Sequence, residues 1–239
     1  MQLLPLTISG VHKRYGKKPV LRDVGFSVEK GEAFGLIGLN GAGKTTLIKI
    51  MLDLCDPDAG AATLFGEPAT RWRSRRNLAY LPEHFRPGQQ LKGKEFLSLQ
   101  LSFYGKKYDA ERAESYCDRL DLPRDALYRR TAKYSKGMGQ KLGLVAAFMC
   151  DVPLLVLDEP MSGLDPKARM LLKKLLLESK AKGKTIFFSS HILSDVAEIC
   201  DRIAVLHNGS VVFCGTPGEC VSSYAGSDLE DAFMNAIAA

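Results

Sequence analysis

The sequence predicts an α/β fold with a mainly parallel sheet, an N-terminal antiparallel β-subdomain and an inserted helical subdomain. Short apolar runs alternate with helical patterns from end to end, the rhythm of strands joined by crossover helices. Near the start, the turn-rich Arg14-Tyr15-Gly16-Lys17-Lys18 separates two β-type runs, 3–9 and 20–28. Between about residues 89 and 150 the strand signals vanish, and helical stretches centre on 93–104, 110–120 and 140–149. No internal repeat or low-complexity linker breaks this order. The 239 residues therefore read as one domain, with 1–88 and 151–239 forming the β-lobe and core and about 89–150 the helical subdomain.

Taken in order, Ala33–Ile37 is an unbroken apolar run of strand length that leads into a glycine-rich loop, after which Thr45–Asp53 has a helical pattern. Strands return at Leu154–Asp158, Thr185–Ser190 and Arg202–Leu206, separated by the amphipathic Lys167–Lys182 and by Ile192–Ile199. Asn208-Gly209 between apolar flanks predicts a type I′ hairpin turn. A last helix is expected over Asp228–Ile237.

A composition of 46% hydrophobic and 25% charged residues is that of a globular protein. No apolar run approaches the roughly 20 residues of a membrane-spanning helix, and the first ten residues lack a basic start followed by a long apolar stretch. The expected location is the cytoplasm. Cysteines 55, 117, 150, 200, 214 and 220 form no CxxC pair and meet no ligand-spaced histidines, so thiols are expected rather than disulfides or zinc. The net charge of +6 is partly gathered in Arg71, Arg73, Arg75 and Arg76 around Trp72. That cluster suits nucleic acid, anionic headgroups or an acidic partner; it equally suits a solvated face with its indole packed inward.

Gly38-Leu39-Asn40-Gly41-Ala42-Gly43-Lys44-Thr45 fits GxxxxGK[ST]. Small residues let backbone N–H groups curl around a β-phosphate at a helix N-terminus. Lys44 is placed to reach β- and γ-phosphate oxygens, the Thr45 hydroxyl to ligate Mg2+, and Thr46 to extend the polar rim. Spacing, preceding strand and following helix agree, which makes the core that of a P-loop NTPase binding ATP. The dinucleotide fingerprint GxGxxG is absent after this strand.

Leu154–Asp158 and Glu159 form an apolar strand ending in two carboxylates, at the sheet edge where ligands collect in open α/β folds. Asp158 is expected to hold Mg2+, directly or through water. Glu159 is the candidate to orient and deprotonate the attacking water. Alone, the pair would suit a helix cap and first-turn acid; beside a phosphate loop, the catalytic reading prevails.

A third motif, Tyr134-Ser135-Lys136-Gly137-Met138, opens a helix carrying Leu142, Val145, Ala146 and Met149 at helical spacing. With Tyr15, Glu83, Asp165 and His191 in the expected order, the chain resembles the ATP-binding-cassette (ABC) family over nearly its whole length. The resemblance implies a head-to-tail pair of cassettes, in which Ser135 and Gly137 donate to the γ-phosphate of ATP bound by the opposite subunit. It further implies that Tyr15 stacks on adenine, that the Asp165 loop crosses between subunits, and that His191 contacts the γ-phosphate and steadies the water. Outside the family order, Tyr15 would be a packed turn residue, Asp165 a cap ahead of Pro166 and His191 structural.

Three places depart from the family pattern. Glu83, in Tyr80-Leu81-Pro82-Glu83, stands where many members have a glutamine linking metal, water and helical lobe; its carboxylate can still accept from water or ligate Mg2+. Lys136 and Met138 stand where glycine and glutamine are common, and Met161 where threonine often follows the Glu-Pro pair. These changes are expected to tune the rate rather than abolish turnover. The signature segment, Glu83 and the tail 228–234 resemble cassette subunits of exporters whose permease is a separate polypeptide. By that resemblance the chain is an ATPase, peripheral on the cytoplasmic face of the membrane, pairing with a second nucleotide-binding subunit, most simply a copy of itself, and with an integral-membrane permease. Its permease contacts are expected in the grooves between lobes, near Glu83 and the helix starting at Lys94. The alternative is a non-transport cassette acting as an ATP-switched clamp on nucleic acid or the ribosome. Relatives of that kind fuse two cassettes or insert long coiled coils, and neither is present; nucleic acid is not the expected partner.

Overall fold

The computed structural model describes residues 3–238. In chain order, β1 (Leu6–Tyr15), β2 (Lys18–Val28), β3 (Ala33–Ile37), α1 (Lys44–Met51), β4 (Ala59–Leu64), β5 (Glu67–Pro68) and β6 (Leu78–Leu81) lead to three helices, α2 (Gly93–Phe103), α3 (Ala110–Arg119) and α4 (Lys136–Met149). Then follow β7 (Leu154–Asp158), α5 (Pro166–Ala181), β8 (Thr185–Ser190), α6 (Leu193–Ile199), β9 (Arg202–His207), β10 (Ser210–Gly215), α7 (Pro217–Ser223) and α8 (Leu229–Ala238).

These strands build two sheets. An antiparallel sheet has the order β2-β1-β4-β5, and a six-stranded sheet the order β10-β9-β3-β8-β7-β6. In the larger sheet every neighbour pair is parallel except β10 with β9, which the Asn208-Gly209 turn joins as a hairpin. Asn208 and Gly209 both have positive φ, 48° and 82°, as a type I′ turn requires.

The parallel strands are apolar on both faces because both are covered. Successive side chains alternate between two clusters: Leu155, Leu157, Ile186 and Phe188 join the cluster that contains α4, α5 and α6. Leu154, Val156, Phe34 and Phe187 join the one that contains α1 and the antiparallel sheet. Phe26 of β2 stacks on Phe34 of β3 with ring centroids 5.0 Å apart, and so ties the two sheets together. Such a pair adds about 1 kcal/mol beyond its buried area.

Several elements differ from the sequence expectations. The first strand runs to Tyr15 because Gly10 and Asp23 take positive φ, 55° and 50°, where the register shifts and lets the pairing continue. Strands β4, β5 and β6 were not expected: Ala59–Leu64 is largely alanine and glycine, β5 has two residues and β6 four, too little for a period-two signal. α7 was also missed, although Thr216 and Glu219 form a reciprocal capping box at its start. α4 extends N-terminally beyond the stretch centred on 140–149 and begins at Lys136, where the 134–138 motif is expected to open it, because the Ser135 side chain accepts from the Met138 N–H and caps it there. All six cysteines are free thiols. Among the described residues no helix is long and apolar enough to cross a membrane.

Candidate functional site

The parallel strands end together, and the loops that follow them make the site. β3 passes into the glycine-rich loop at Gly38, where a Cβ would lie 2.4 Å from the Leu206 carbonyl oxygen of β9. Any side chain there would push the neighbouring strand aside. Gly43 ends the loop at φ 111°, with its Cβ position 2.8 Å from Leu21 Cδ2, so both conformation and space demand glycine. α1 starts immediately afterwards and presents its unpaired N–H groups to the loop. Leu39, Asn40, Gly41, Gly43, Lys44, Thr45, Thr46, Glu83 and Glu159, with Val20, line a cleft of about 190 Å³, while Gly38 and Ala42 are buried behind it.

Lys44 is 7% exposed. Its Nζ donates to the Gly38 carbonyl at 2.7 Å and lies 3.3 Å from Glu159 Oε1. The ammonium thus bridges the loop and the acidic strand end.

At that end Asp158 and Glu159 are 1% and 6% exposed. Asp158 pairs with Ser189 in register across β7 and β8, and its Oδ1 accepts from Ser189 Oγ at 2.5 Å. The same hydroxyl accepts from the Glu159 N–H at 2.9 Å. Glu159 has φ 48°, a left-handed conformation that is strained for a glutamate and held by its surroundings. Its Oε2 meets His191 Nδ1 at 2.7 Å. Burial pushes the Asp158 carboxyl above its ordinary pKa, against the opposing hydroxyls of Ser189 and Thr45.

Asp158 Oδ2 is buried without a hydrogen-bond partner. An orphaned carboxylate oxygen beside the Thr45 hydroxyl is a hard-oxygen donor set that suits Mg2+. Among the described residues no group of three or more His, Cys, Asp or Glu forms a cage; Mg2+ commonly takes its remaining ligands from phosphates and water.

Glu83 sits at a junction. It lines the phosphate-loop cleft and also a larger one, about 610 Å³, between segments 83–87 and 131–140. Lys44, Thr45, Thr46, Glu83 and Glu159 therefore share one cleft, with Asp158 and His191 tied to it by the contacts above. Tyr15 lies at the end of β1, 52% exposed, with its hydroxyl 3.6 Å from Cys55 Sγ. It does not line this cleft, nor do Ser135 and Gly137.

Ser135 Oγ accepts from Met138 N–H at 3.2 Å, and a Cβ on Gly137 would lie 3.1 Å from the Gly163 carbonyl oxygen. Asp165 caps α5 by accepting from Ala168 N–H at 2.9 Å, and the buried Lys141 Nζ lies 3.6 Å from its Oδ2. Met161 is 2% exposed within the core, so a hydrophobic residue there fills space.

Sequence reasoning missed Ser189, which organises both acidic residues. A signal was present: two serines close an otherwise apolar strand one residue before His191, and a buried hydroxyl needs partners. It also passed over Lys141, whose ammonium donates to the Asp121 carbonyl at 2.8 Å and links α4 to the loop preceding α5.

Known proteins are similar to this chain in sequence and fold. The family model for ABC transporter matches residues 21–162. An ABC transporter ATP-binding protein of Synechocystis is 40% identical over 87% of this chain and 60% of its own length. The Nod factor export ATP-binding protein I of Burkholderia orbicola is 36% identical over 96% of this chain and 76% of its own. The chain thus spans about 60% of the length of the first curated relatives it matches. A solved ATP-binding subunit of an ABC transporter superposes with a TM-score of 0.90 at 36% identity, covering 97% of this chain and 98% of that one. A cassette solved as a dimer with ADP and Pi shares the fold, at a TM-score of 0.80, 21% identity and coverage of 88% and 98%. With its phosphate loop, acidic strand end and matching architecture, the chain belongs to the ABC transporter family as an ATP-binding cassette.

Proposed function

We propose that the chain hydrolyses MgATP as one of two paired cassettes and drives a separate membrane permease in the direction of export. The observation that carries the hydrolytic reading is the buried Glu159 held between His191 Nδ1 and Lys44 Nζ, at 2.7 and 3.3 Å. A carboxylate so placed is aimed by its neighbours rather than free to rotate. Backbone N–H groups of residues 38–46 and the start of α1 bind the phosphates, and Lys44 moves its ammonium from Glu159 to the β- and γ-phosphate oxygens. That movement releases Glu159 to accept a proton from the attacking water. His191 holds the freed carboxylate in position. Thr45, Asp158 and Glu83 would hold Mg2+, which would supply neutralisation of the phosphate charge. Tyr15 stacks on the adenine from the rim of the site.

Pairing is supported by the placement of Ser135 and Gly137 outside the chain's own phosphate cleft. A cap serine at the start of a long helix suits an anion brought by another subunit. The export direction and the permease rest on the likeness to the Nod factor export protein, and with them comes a place on the cytoplasmic face of a membrane.

The test is Glu159→Gln. Steady-state phosphate release should fall by about 10²–10⁴-fold, MgATP binding should persist, and an ATP-bound dimer should accumulate. Unchanged turnover in this variant would refute the assignment. Recovery of an integral-membrane partner in a mild-detergent pull-down tests the permease.

A further inference from the structure

The segment between β5 and β6 takes no part in the nucleotide site, yet it concentrates charge and aromatic surface. Arg71, Trp72, Arg73, Arg75 and Arg76 stand together, and Glu67 is the single acid between residues 65 and 77. Trp72 is 57% exposed, so the indole is turned to solvent, not packed inward. It is also the sole tryptophan of the chain.

The exposure is built in. Residues 72–77 form a tight 3-10 turn whose buried Ser74 donates through Oγ to the Arg71 carbonyl at 2.7 Å. Arg75 faces the protein, with Nη1 3.0 Å from Asp53 Oδ2 and a further bond to the Ala69 carbonyl. These contacts pin the turn and leave Arg71, Arg73 and Arg76 exposed. The Arg76 guanidinium lies 4.4 Å from the indole centroid and that of Arg73 5.6 Å.

We propose that this patch docks the chain on an anionic phospholipid surface. Indole rings favour the headgroup layer, where the apolar body leaves water while the N–H stays solvated. Basic side chains beside it gain from the negative surface potential. The lone ring argues against the other basic-patch ligand: a single-stranded nucleic acid is bound on successive aromatic platforms, and Trp72 is the sole aromatic between residues 66 and 79. A membrane surface needs no such series of rings. The proposal is independent of the hydrolytic mechanism.

Trp72 reports the test directly. With vesicles containing phosphatidylglycerol, its emission should shift to the blue and the chain should co-sediment; with phosphatidylcholine alone, neither should occur. Binding should weaken as salt rises. The combined Arg71→Gln, Arg73→Gln, Arg76→Gln variant should partition about a hundredfold less, at roughly fivefold per charge, with an unaltered melting temperature and unaltered phosphate release. No shift on anionic vesicles, or partitioning that survives the triple variant, overturns the proposal. So does a blue shift produced by a single-stranded oligonucleotide or an acidic peptide but not by vesicles.

Discussion

The phosphate loop and the start of α4 are both places where a helix N-terminus is expected to meet phosphate, but their surroundings differ. Around the loop, side chains are already engaged with one another: Lys44 with Gly38 and Glu159, Glu159 with His191, Asp158 with Ser189. At α4, Ser135 Oγ engages its own helix through Met138 N–H, and the cleft it lines opens toward Glu83. The first region is pre-organised within one chain and waits for ligand. The second, in the proposed pairing, meets a ligand brought by another chain. The proposal that two chains complete each other's sites rests on that inequality.

Substitutions on the two sides should separate. The largest effect expected is from Ser135→Arg, which places a bulky cation at the α4 surface. ATP-driven dimerisation and turnover should be lost, while nucleotide affinity of the single chain stays within about twofold of wild type, since each charge-assisted contact is worth roughly 1.5–3 kcal/mol and none in the loop is touched. Gel filtration and equilibrium binding read the two quantities; normal dimerisation would erase the contrast.

On the pre-organised side, Ser189→Ala removes the hydroxyl that fixes Asp158 Oδ1 and the Glu159 N–H. kcat should fall about 10–100-fold, as for other groups that orient a catalytic residue, with little change in nucleotide affinity. An unaltered kcat would show that the strained Glu159 is held without it.

A smaller effect of opposite sign is expected from Asp158→Asn measured in chelator. Burial raises the Asp158 carboxyl pKa, so its ionised form is disfavoured by the fold. The charge thus lowers apo stability above the folded pKa, and acidification through that pKa relieves the loss. The variant should melt higher at neutral pH by an amount corresponding to about 1 kcal/mol, should lose this pH dependence, and should fail to hydrolyse ATP. A lower melting temperature would contradict the assigned cost. The smallest effect is expected at the α4 cap, where Ser135→Ala should destabilise the chain by about 1 kcal/mol in a denaturant titration.

The same contrast marks what the sequence could reveal. The phosphate loop and Leu154–Glu159 were legible because local spacing dictates their chemistry: glycines where backbone must approach closely, an apolar strand that ends in acids. Of the parallel strands, β3, β7, β8 and β9 were legible because both faces are covered, which leaves continuous apolar runs. Ser189 was hidden because its role arises from register across β7 and β8, a tertiary fact. β4 and β6 were hidden because their residues are small or few, and pairing with neighbours rather than intrinsic preference makes them strands. Glu159's left-handed backbone had no sequence signal, since glutamate does not ordinarily adopt it. The inward or outward choice for Trp72 depended on how Arg75 and Ser74 pin their turn.

The central claim is that the main-chain cradle of residues 38–46, completed by Lys44, binds the triphosphate of ATP. Equilibrium titration of MgATP into wild type and Lys44→Ala measures this most directly. The wild-type chain should bind, and the variant should bind at least about tenfold more weakly, the loss of a charge-assisted contact of roughly 1.5–3 kcal/mol. Absence of binding by the wild type, or undiminished affinity in Lys44→Ala, would contradict it.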